Sequence, residues 1–353
     1  MDKKTKSVTA VALFSGGLDS ILACRLIMEQ SIRVKALKCV SPFFDYDLLK
    51  RRQQYCREVK EKYGIDVELV DISDDFIRLL KNPPHGFGRY FNPCIDCKIL
   101  MLGKAAELMK RYGASFIITG EVLGQRPMSQ RRDTLRIIER DSGLSDYLLR
   151  PLSAGLLPPT AAERRGLVDS KRLPTVSGRG RRVQIRLAEK FSITDYPTPA
   201  GGCILADPNL SRRIRLLYDG FFPTAAEEIS IVDIRFLLLG RHFLLSESSW
   251  FILGRDQREN EKICALAGDR DLLITMRERP GPTGILRSGC GAGRIPAARE
   301  RVMRQAAELV VRFGKKEAGR RPAAVVDVRN KTAVIAAFEA EAAMDGRVAE
   351  LQV

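Results

Sequence analysis

The chain is 353 residues long, 45% hydrophobic and 29% charged. That length allows two domains with buried cores, and no apolar run approaches the roughly 18 residues that would span a bilayer. A formal net charge of +16 points to a polyanionic partner, because a field of that size raises association rates by long-range attraction; arginines crowd 124–136, 172–190 and the tail. The opening MDKKTKS runs straight into a strand-like stretch, so neither signal nor transit peptide is expected, and the cytosol is the expected compartment.

Residues 8–14, VTAVALF, form a short apolar run that reads as a buried parallel strand. A glycine loop and a helix from about Ser20 to Gln30 follow. Strands are expected at 33–40, 66–72 and 115–120, and helices at 48–64, 74–81 and 96–112. Strands alternating with helices indicate an α/β fold, a doubly wound parallel sheet. Ligands of such sheets sit beyond the carboxyl ends of the strands, where the first loop, the 82–97 loop and TGEVLGQ (119–125) converge. From 151 the chain is rich in proline, glycine and basic residues and reads as an irregular extension, so the first domain is placed at 1–209. Residues 210–300 read as a smaller α+β domain, with two or three strands after 228 and a helix opening near Gln257. Residues 301–353 read as a helical tail, completing an amphipathic helix over 297–316 and holding an alanine-rich helix near 332–344.

The first loop is Ser15-Gly16-Gly17-Leu18-Asp19-Ser20. The glycines permit a tight turn and close approach to a ligand, and the helix that follows aims its first N–H groups at an anion. Asp19 suits a phosphate cradle only if a divalent cation such as Mg²⁺ bridges it to the phosphates. The lysine of the G-x-x-x-x-G-K-[ST] loop is missing.

The loop resembles the S-G-G-x-D-S motif of the ATP pyrophosphatase (PP-loop) superfamily. The resemblance implies that ATP lies with its pyrophosphate on Ser15, Gly16, Gly17, Asp19 and Ser20 and is cleaved between the α and β phosphates. TGEVLGQRPMSQ (119–130) is similar to the corresponding run of the tRNA 4-thiouridine synthases, and LLRPLSAGLLPPT (148–160) extends the similarity, placing Gly120, Gln125 and Arg150 toward the nucleotide. GRHFLLSESSWFILGRDQRENEKI (240–263) is similar to the RNA-binding module of NFACT proteins. Counterparts of the N-terminal THUMP domain and of the rhodanese domain of well-studied 4-thiouridine synthases are not expected in these 353 residues. The grip on tRNA therefore falls to the basic segments and the C-terminal module, with Arg235, Arg241 and Arg255 as contacts that position without specifying sequence.

Three cysteines stand apart. Cys94 and Cys97 form a C-x-x-C after a proline, and Cys203 follows two glycines. A dithiol pair would need accessible thiols of low pKa, a zinc site would need a fourth ligand such as His85, and an iron–sulfur cluster on three thiolates would leave one iron open. The last reading, a [4Fe-4S] cluster, is favoured and resembles the cluster-dependent tRNA thiolases. Cys24, Cys39 and Cys264 read as core residues; Cys56 and Cys290 carry no assignment.

These resemblances imply that a uracil carbonyl of tRNA attacks the α-phosphate and that sulfide held at the cysteines displaces AMP, with 4-thiouridine favoured as product. Lys98, Arg150 and the helix dipole would stabilise the developing charge, Glu121 and Gln125 would line the site, and main-chain groups of 38–44 would meet the adenine. The sulfur donor is either sulfide or a cysteine desulfurase persulfide, and such families include homodimers. Two other classes stay open: a synthetase or amidotransferase that adenylates a small molecule, and an RNA-binding protein without catalysis.

Overall fold

The computed structural model describes residues 8–198, 202–222, 224, 228–246, 249–287 and 296–353. The chain divides into two units, Met1–Ile204 and Leu205–Val353, so the division falls five residues before the expected boundary. Cys290 lies outside the described residues. Among the described residues, no helix is long and apolar enough to cross a membrane.

In the first unit the elements run β1 (Thr9–Leu13), α1 (Leu18–Met28), β2 (Arg33–Val40), α2 (Arg52–Tyr63), β3 (Asp66–Asp71), α3 (Ser73–Lys81), α4 (Cys94–Arg111), β4 (Phe116–Thr119), α5 (Arg132–Asp141), β5 (Leu148–Leu149), α6 (Ala161–Arg164) and α7 (Arg182–Lys190). The five strands form one parallel sheet in the order β3-β2-β1-β4-β5. β1 occupies the centre because its residues are small and apolar. Ala10, Val11 and Ala12 are buried, as parallel strands covered by helices on both faces require. The strand order reverses between β1 and β4, so their carboxyl ends open the crevice where a ligand site belongs.

The elements expected over 8–120 are present. The region 151–209 is more regular than its composition suggested: it holds α6 and α7, and α7 packs on α1 through the buried Gln184 and Ala188. The arginines on its other positions hide that face from a reading of composition.

In the second unit the order is α8 (Pro208–Tyr218), α9 (Ile231–Leu237), β6 (Arg241–Leu245), β7 (Ser249–Leu253), α10 (Gln257–Leu266), β8 (Leu272–Met276), β9 (Gly284–Leu286), α11 (Pro296–Arg312), β10 (Ala324–Arg329), β11 (Val334–Ala340) and α12 (Asp345–Leu351). Six antiparallel strands run β11-β10-β8-β9-β7-β6. α11 lays Val302, Ala306, Leu309 and Val310 on a core shared with Phe243, Phe251, Ile274 and Val326.

Three expectations are corrected here. The alanine-rich segment near 332–344 is strand β11, not helix. Asn330 closes a tight turn by accepting hydrogen bonds from the Thr332 and Ala333 amides, and alternation then buries Phe338 and Ala340 while exposing Glu339. The 301–353 stretch is therefore part of the second unit's sheet, not a helical tail. Finally, the first apolar piece after 228 is helix α9, started by a capping box in which Ser230 and Asp233 exchange backbone hydrogen bonds.

Candidate active site

The loop after β1 is built largely by its own hydroxyls. Gly16 turns at φ +85°, where a side chain would be strained. The Gly17 amide donates to Ser15 Oγ at 3.2 Å, and Ser20 Oγ donates to the Gly17 carbonyl at 2.8 Å. α1 begins at once, with no side-chain cap on its first turn and Asp19 within it. That leaves an anion-binding helix end facing the crevice.

The loop is pinned from both neighbouring strands. On one side, the buried Lys38 of β2 donates through Nζ to the Ser15 carbonyl and to Asp45 Oδ2, both at 2.7 Å. A lysine thus underlies the glycine loop after all, supplied by β2 and not by the loop's own sequence. Sequence reasoning missed it, although a lysine amid the apolar ALKCV was the available signal. On the other side, Gly120 follows β4 so closely that a Cβ there would lie 2.5 Å from the Ser20 amide nitrogen and 2.6 Å from the Asp19 carbonyl carbon. Gln125 reaches back and donates to Asp19 Oδ2 at 3.1 Å. The other carboxylate oxygen, Asp19 Oδ1, is buried and has no hydrogen-bond partner. A buried anionic oxygen without a donor fits a bound cation, so Asp19 is suited to hold Mg²⁺.

Behind Gly120 lies a buried ion network. Glu121 accepts from Thr119 Oγ1 and from Arg150 Nε, each at 3.1 Å, and pairs with Lys98 at 3.6 Å. Burial pushes the Glu121 carboxyl up, yet the charges of Lys98 and Arg150, with the bonds from Arg150 and Thr119, bring it below the usual carboxylate range. Arg150 was expected to reach phosphate. It is instead 1% exposed and bound to both Glu121 and Glu139, so it positions Glu121 from beneath.

α4 begins at Cys94, two residues earlier than expected, which places Cys94, Cys97 and Lys98 in its opening turns. Lys98 thereby links the thiols to Glu121, and Glu121 adjoins the glycine that touches the loop. Burial pushes the Cys97 thiol up to about 12, with Lys98 acting downward and Cys203, Cys94 and Cys39 upward, so all three thiols singled out from the sequence share one neighbourhood. Burial also raises Cys94, opposed by a hydrogen bond with Asn92 and by Lys98 and Arg126. Thiols held protonated are poor nucleophiles unless a metal takes the proton's place. The zinc reading with His85 as fourth ligand is corrected: Nδ1 of His85 meets Asp96 Oδ1 at 2.6 Å and Nε2 meets Asp141 Oδ2 at 2.8 Å, so neither nitrogen is left for a metal. Among the described residues, no three His, Cys, Asp or Glu side chains gather closely enough to hold a single ion. By donor chemistry alone, the three free thiols of Cys94, Cys97 and Cys203 are of the kind that ligate an iron–sulfur cluster.

The other cysteines divide. Cys24 and Cys39 are buried with thiols raised to about 12 by burial, whereas Cys264, expected in the core, is exposed on α10. In the second unit, Arg235 lies on α9, Arg241 on β6 stacks over Phe313 with 4.7 Å to the ring centre, and Arg255 pairs with Glu259. The structure does not bring the three together on one element.

Comparison with known proteins is consistent with both halves. Residues 5–155 match the family described as thiamine biosynthesis protein (ThiI), and residues 240–349 match the NFACT protein RNA binding domain. A probable tRNA sulfurtransferase of Thermococcus kodakarensis is 30% identical over 146 residues, 40% of this chain and 36% of that protein. An uncharacterized protein of Methanocaldococcus jannaschii is 32% identical over 123 residues, 35% of this chain and 43% of its own length. The chain thus spans less than half of either relative. A crystal structure of a 4-thiouridine synthetase–RNA complex with bound ATP superposes with a TM-score of 0.34 and 20% identity, covering 52% of this chain and 50% of that one, too loose a match to define fold or function. Residues 5–155 are thus similar to the ThiI family and residues 240–349 to the NFACT-type RNA-binding domain, each match spanning less than half of the chain.

Proposed function

We propose that this chain is an ATP-dependent tRNA sulfurtransferase of the cytosol that converts a uridine to a thiouridine, with 4-thiouridine as the favoured product. The observation that carries the reading is the physical link from thiols to nucleotide loop: Cys97 adjoins Lys98, Lys98 pairs with Glu121, and the preceding Gly120 touches Asp19 and Ser20. That link supports placing the sulfur chemistry beside the ATP chemistry at one sheet edge. The match to the ThiI family and the sulfurtransferase name of a relative support the same reading.

The loop amides, Ser15 and Ser20 hold the pyrophosphate of ATP, and Asp19, oriented by Gln125, would hold Mg²⁺, whose charge would favour departure of pyrophosphate. A uracil carbonyl oxygen attacks the α-phosphate, giving an adenylated base and pyrophosphate. Lys98, kept in place by Glu121, stabilises negative charge that builds in this step. Sulfide then adds to the ring carbon and AMP leaves with the former carbonyl oxygen. Cys94, Cys97 and Cys203 would hold a [4Fe-4S] cluster, which supplies an iron without a protein ligand where sulfide is presented. The basic surface and the NFACT-type domain hold tRNA largely through its phosphates.

The test is an anaerobic incubation of cluster-reconstituted protein with unmodified tRNA, ATP, Mg²⁺ and sulfide, followed by mass analysis of the nucleosides. A thiouridine that disappears with Asp19→Ala and with Cys203→Ala is expected, and its retention time separates C4 from C2. AMP release with no sulfur in the RNA would overturn the reading in favour of a small-molecule synthetase, and no turnover would favour RNA binding alone.

A further inference from the structure

The loop between α3 and α4 carries an aromatic surface that neither the ATP site nor the thiols use. Its sequence, HGFGRYFN over 85–92, leaves Phe87 39% and Tyr90 42% exposed, while Phe91 is buried beneath. Phe87 lies on Phe91 with ring centres 4.2 Å apart, and the Arg89 guanidinium sits over the Tyr90 ring at 5.1 Å. Exposed aromatics cost solvation free energy, and a tyrosine at φ +58° adds backbone strain. Both features persist here because the turn is closed by the Gly88 amide donating to the Asn92 carbonyl at 2.8 Å.

The surface is tied to the thiols. Asn92, which closes the turn, lies two residues before Cys94 at the start of α4. Met128, 43% exposed, lies directly against Gly88 from the loop that carries Gln125 and Arg126. Among the described residues, neither Arg89 nor Arg126 enters an ion pair, so both charges remain for an anionic partner. Aromatic faces interleaved with uncommitted arginines suit an unpaired nucleotide: the rings take the base and the arginines its phosphates.

We propose that Tyr90, flanked by Phe87 and backed by Arg89, is the surface on which the unpaired target pyrimidine of the RNA stacks once it leaves its own helix. This rests on the sulfurtransferase reading for the identity of the base. A base inside a duplex hides its reactive edge and loses stacking when it is extruded; Tyr90 replaces that stacking beside the cysteines. Stacking tolerates any base, so these are positioning residues that select an accessible nucleotide rather than a particular sequence.

The test uses the full chain and an unmodified tRNA transcript carrying 5-iodouridine, irradiated and digested, with the crosslinked peptide identified by mass. A crosslink within residues 82–97 is expected. Tyr90→Gly suits the left-handed backbone and removes the ring without threatening the fold. It should abolish that crosslink and weaken RNA binding about 5- to 100-fold, leaving ATP binding and the melting temperature unchanged, and Tyr90→Phe should restore both. Unaltered crosslinking and affinity in Tyr90→Gly would overturn the proposal. So would thiolation lost only with a protein persulfide donor and kept with free sulfide, which would assign the surface to that donor. If the wild type crosslinks at Tyr90 yet makes no thiouridine, the stacking surface stands and the sulfurtransferase reading fails.

Discussion

Gly120→Ala tests the closest contact in the site. Gly120 has no left-handed backbone, so the substitution brings no conformational strain of its own. Its effect comes from one methyl group placed 2.5 Å from the Ser20 nitrogen and 2.6 Å from two further backbone atoms of Asp19 and Ser20. Backbone cannot rotate away, so β4 and the loop must separate by roughly 1 Å to restore a normal contact. Overpacking of this kind costs about 1–3 kcal/mol. In a unit of this size 2 kcal/mol lowers the melting temperature by about 4–8 °C. A misplacement of about 1 Å also costs roughly 100-fold in rate when the displaced groups hold the reacting phosphates. Thermal melting and RNA-dependent AMP release read the two effects separately. Gly103→Ala provides the control: it lies inside α4 with nothing within 4 Å of a new Cβ, and it should stabilise the unit by about 0.5–1 kcal/mol. A Gly120→Ala protein that melts with the wild type and releases AMP at full rate would refute the argument that this contact sets the loop.

Glu121→Gln leaves Lys98 and Arg150 facing a neutral amide in a buried site, and about 3 kcal/mol of stability should be lost, measurable by urea denaturation. Asp19→Asn keeps a side chain for Gln125 and removes a buried charge, so stability should hold while Mg²⁺-dependent ATP turnover falls at least about 100-fold; retained turnover would remove Asp19 from the metal site. The His85 pKa is raised chiefly by its hydrogen bond to Asp96, against burial and with help from Asp141. Its contribution is therefore complete below the unfolded value near 6.5 and lost as pH rises through the folded value. Melting temperature should decline over that range in the wild type and stay flat in His85→Gln. Arg140 and His85 hold Asp141 down to about 2, so its contribution is present above the ordinary value of 3.8 and fades only as pH falls toward 2.

Several features of the site were legible as local patterns. The apolar run of β1, the double glycine and the first turn of α1 are consecutive in sequence, and the close spacing of Cys94, Cys97 and Lys98 follows from helical geometry once α4 is recognised. Other features needed partners distant in the chain. Lys38 looks like one more strand lysine until β2 is laid beside β1, and His85 looks like a metal ligand until Asp96 and Asp141 close on both of its nitrogens. Arg150 misled because the resemblance of 148–160 to the thiouridine synthases implied a phosphate contact, whereas two buried carboxylates claim it. In the second unit β11 was misread because alanine favours helix in isolation; its pairing with β10 and the packing of Phe338 on the α11 core override that preference.

By itself the sequence determined the parallel α/β architecture of the first unit and the position of its glycine loop, because alternating apolar segments and a glycine turn act over short distances along the chain. Only the tertiary structure decided which charged groups are free to act: the ion pairs that bury Arg150, clamp His85 and hold Lys98 join residues 11 to 56 positions apart, and no local pattern records which opposite charge will be waiting when the sheet closes.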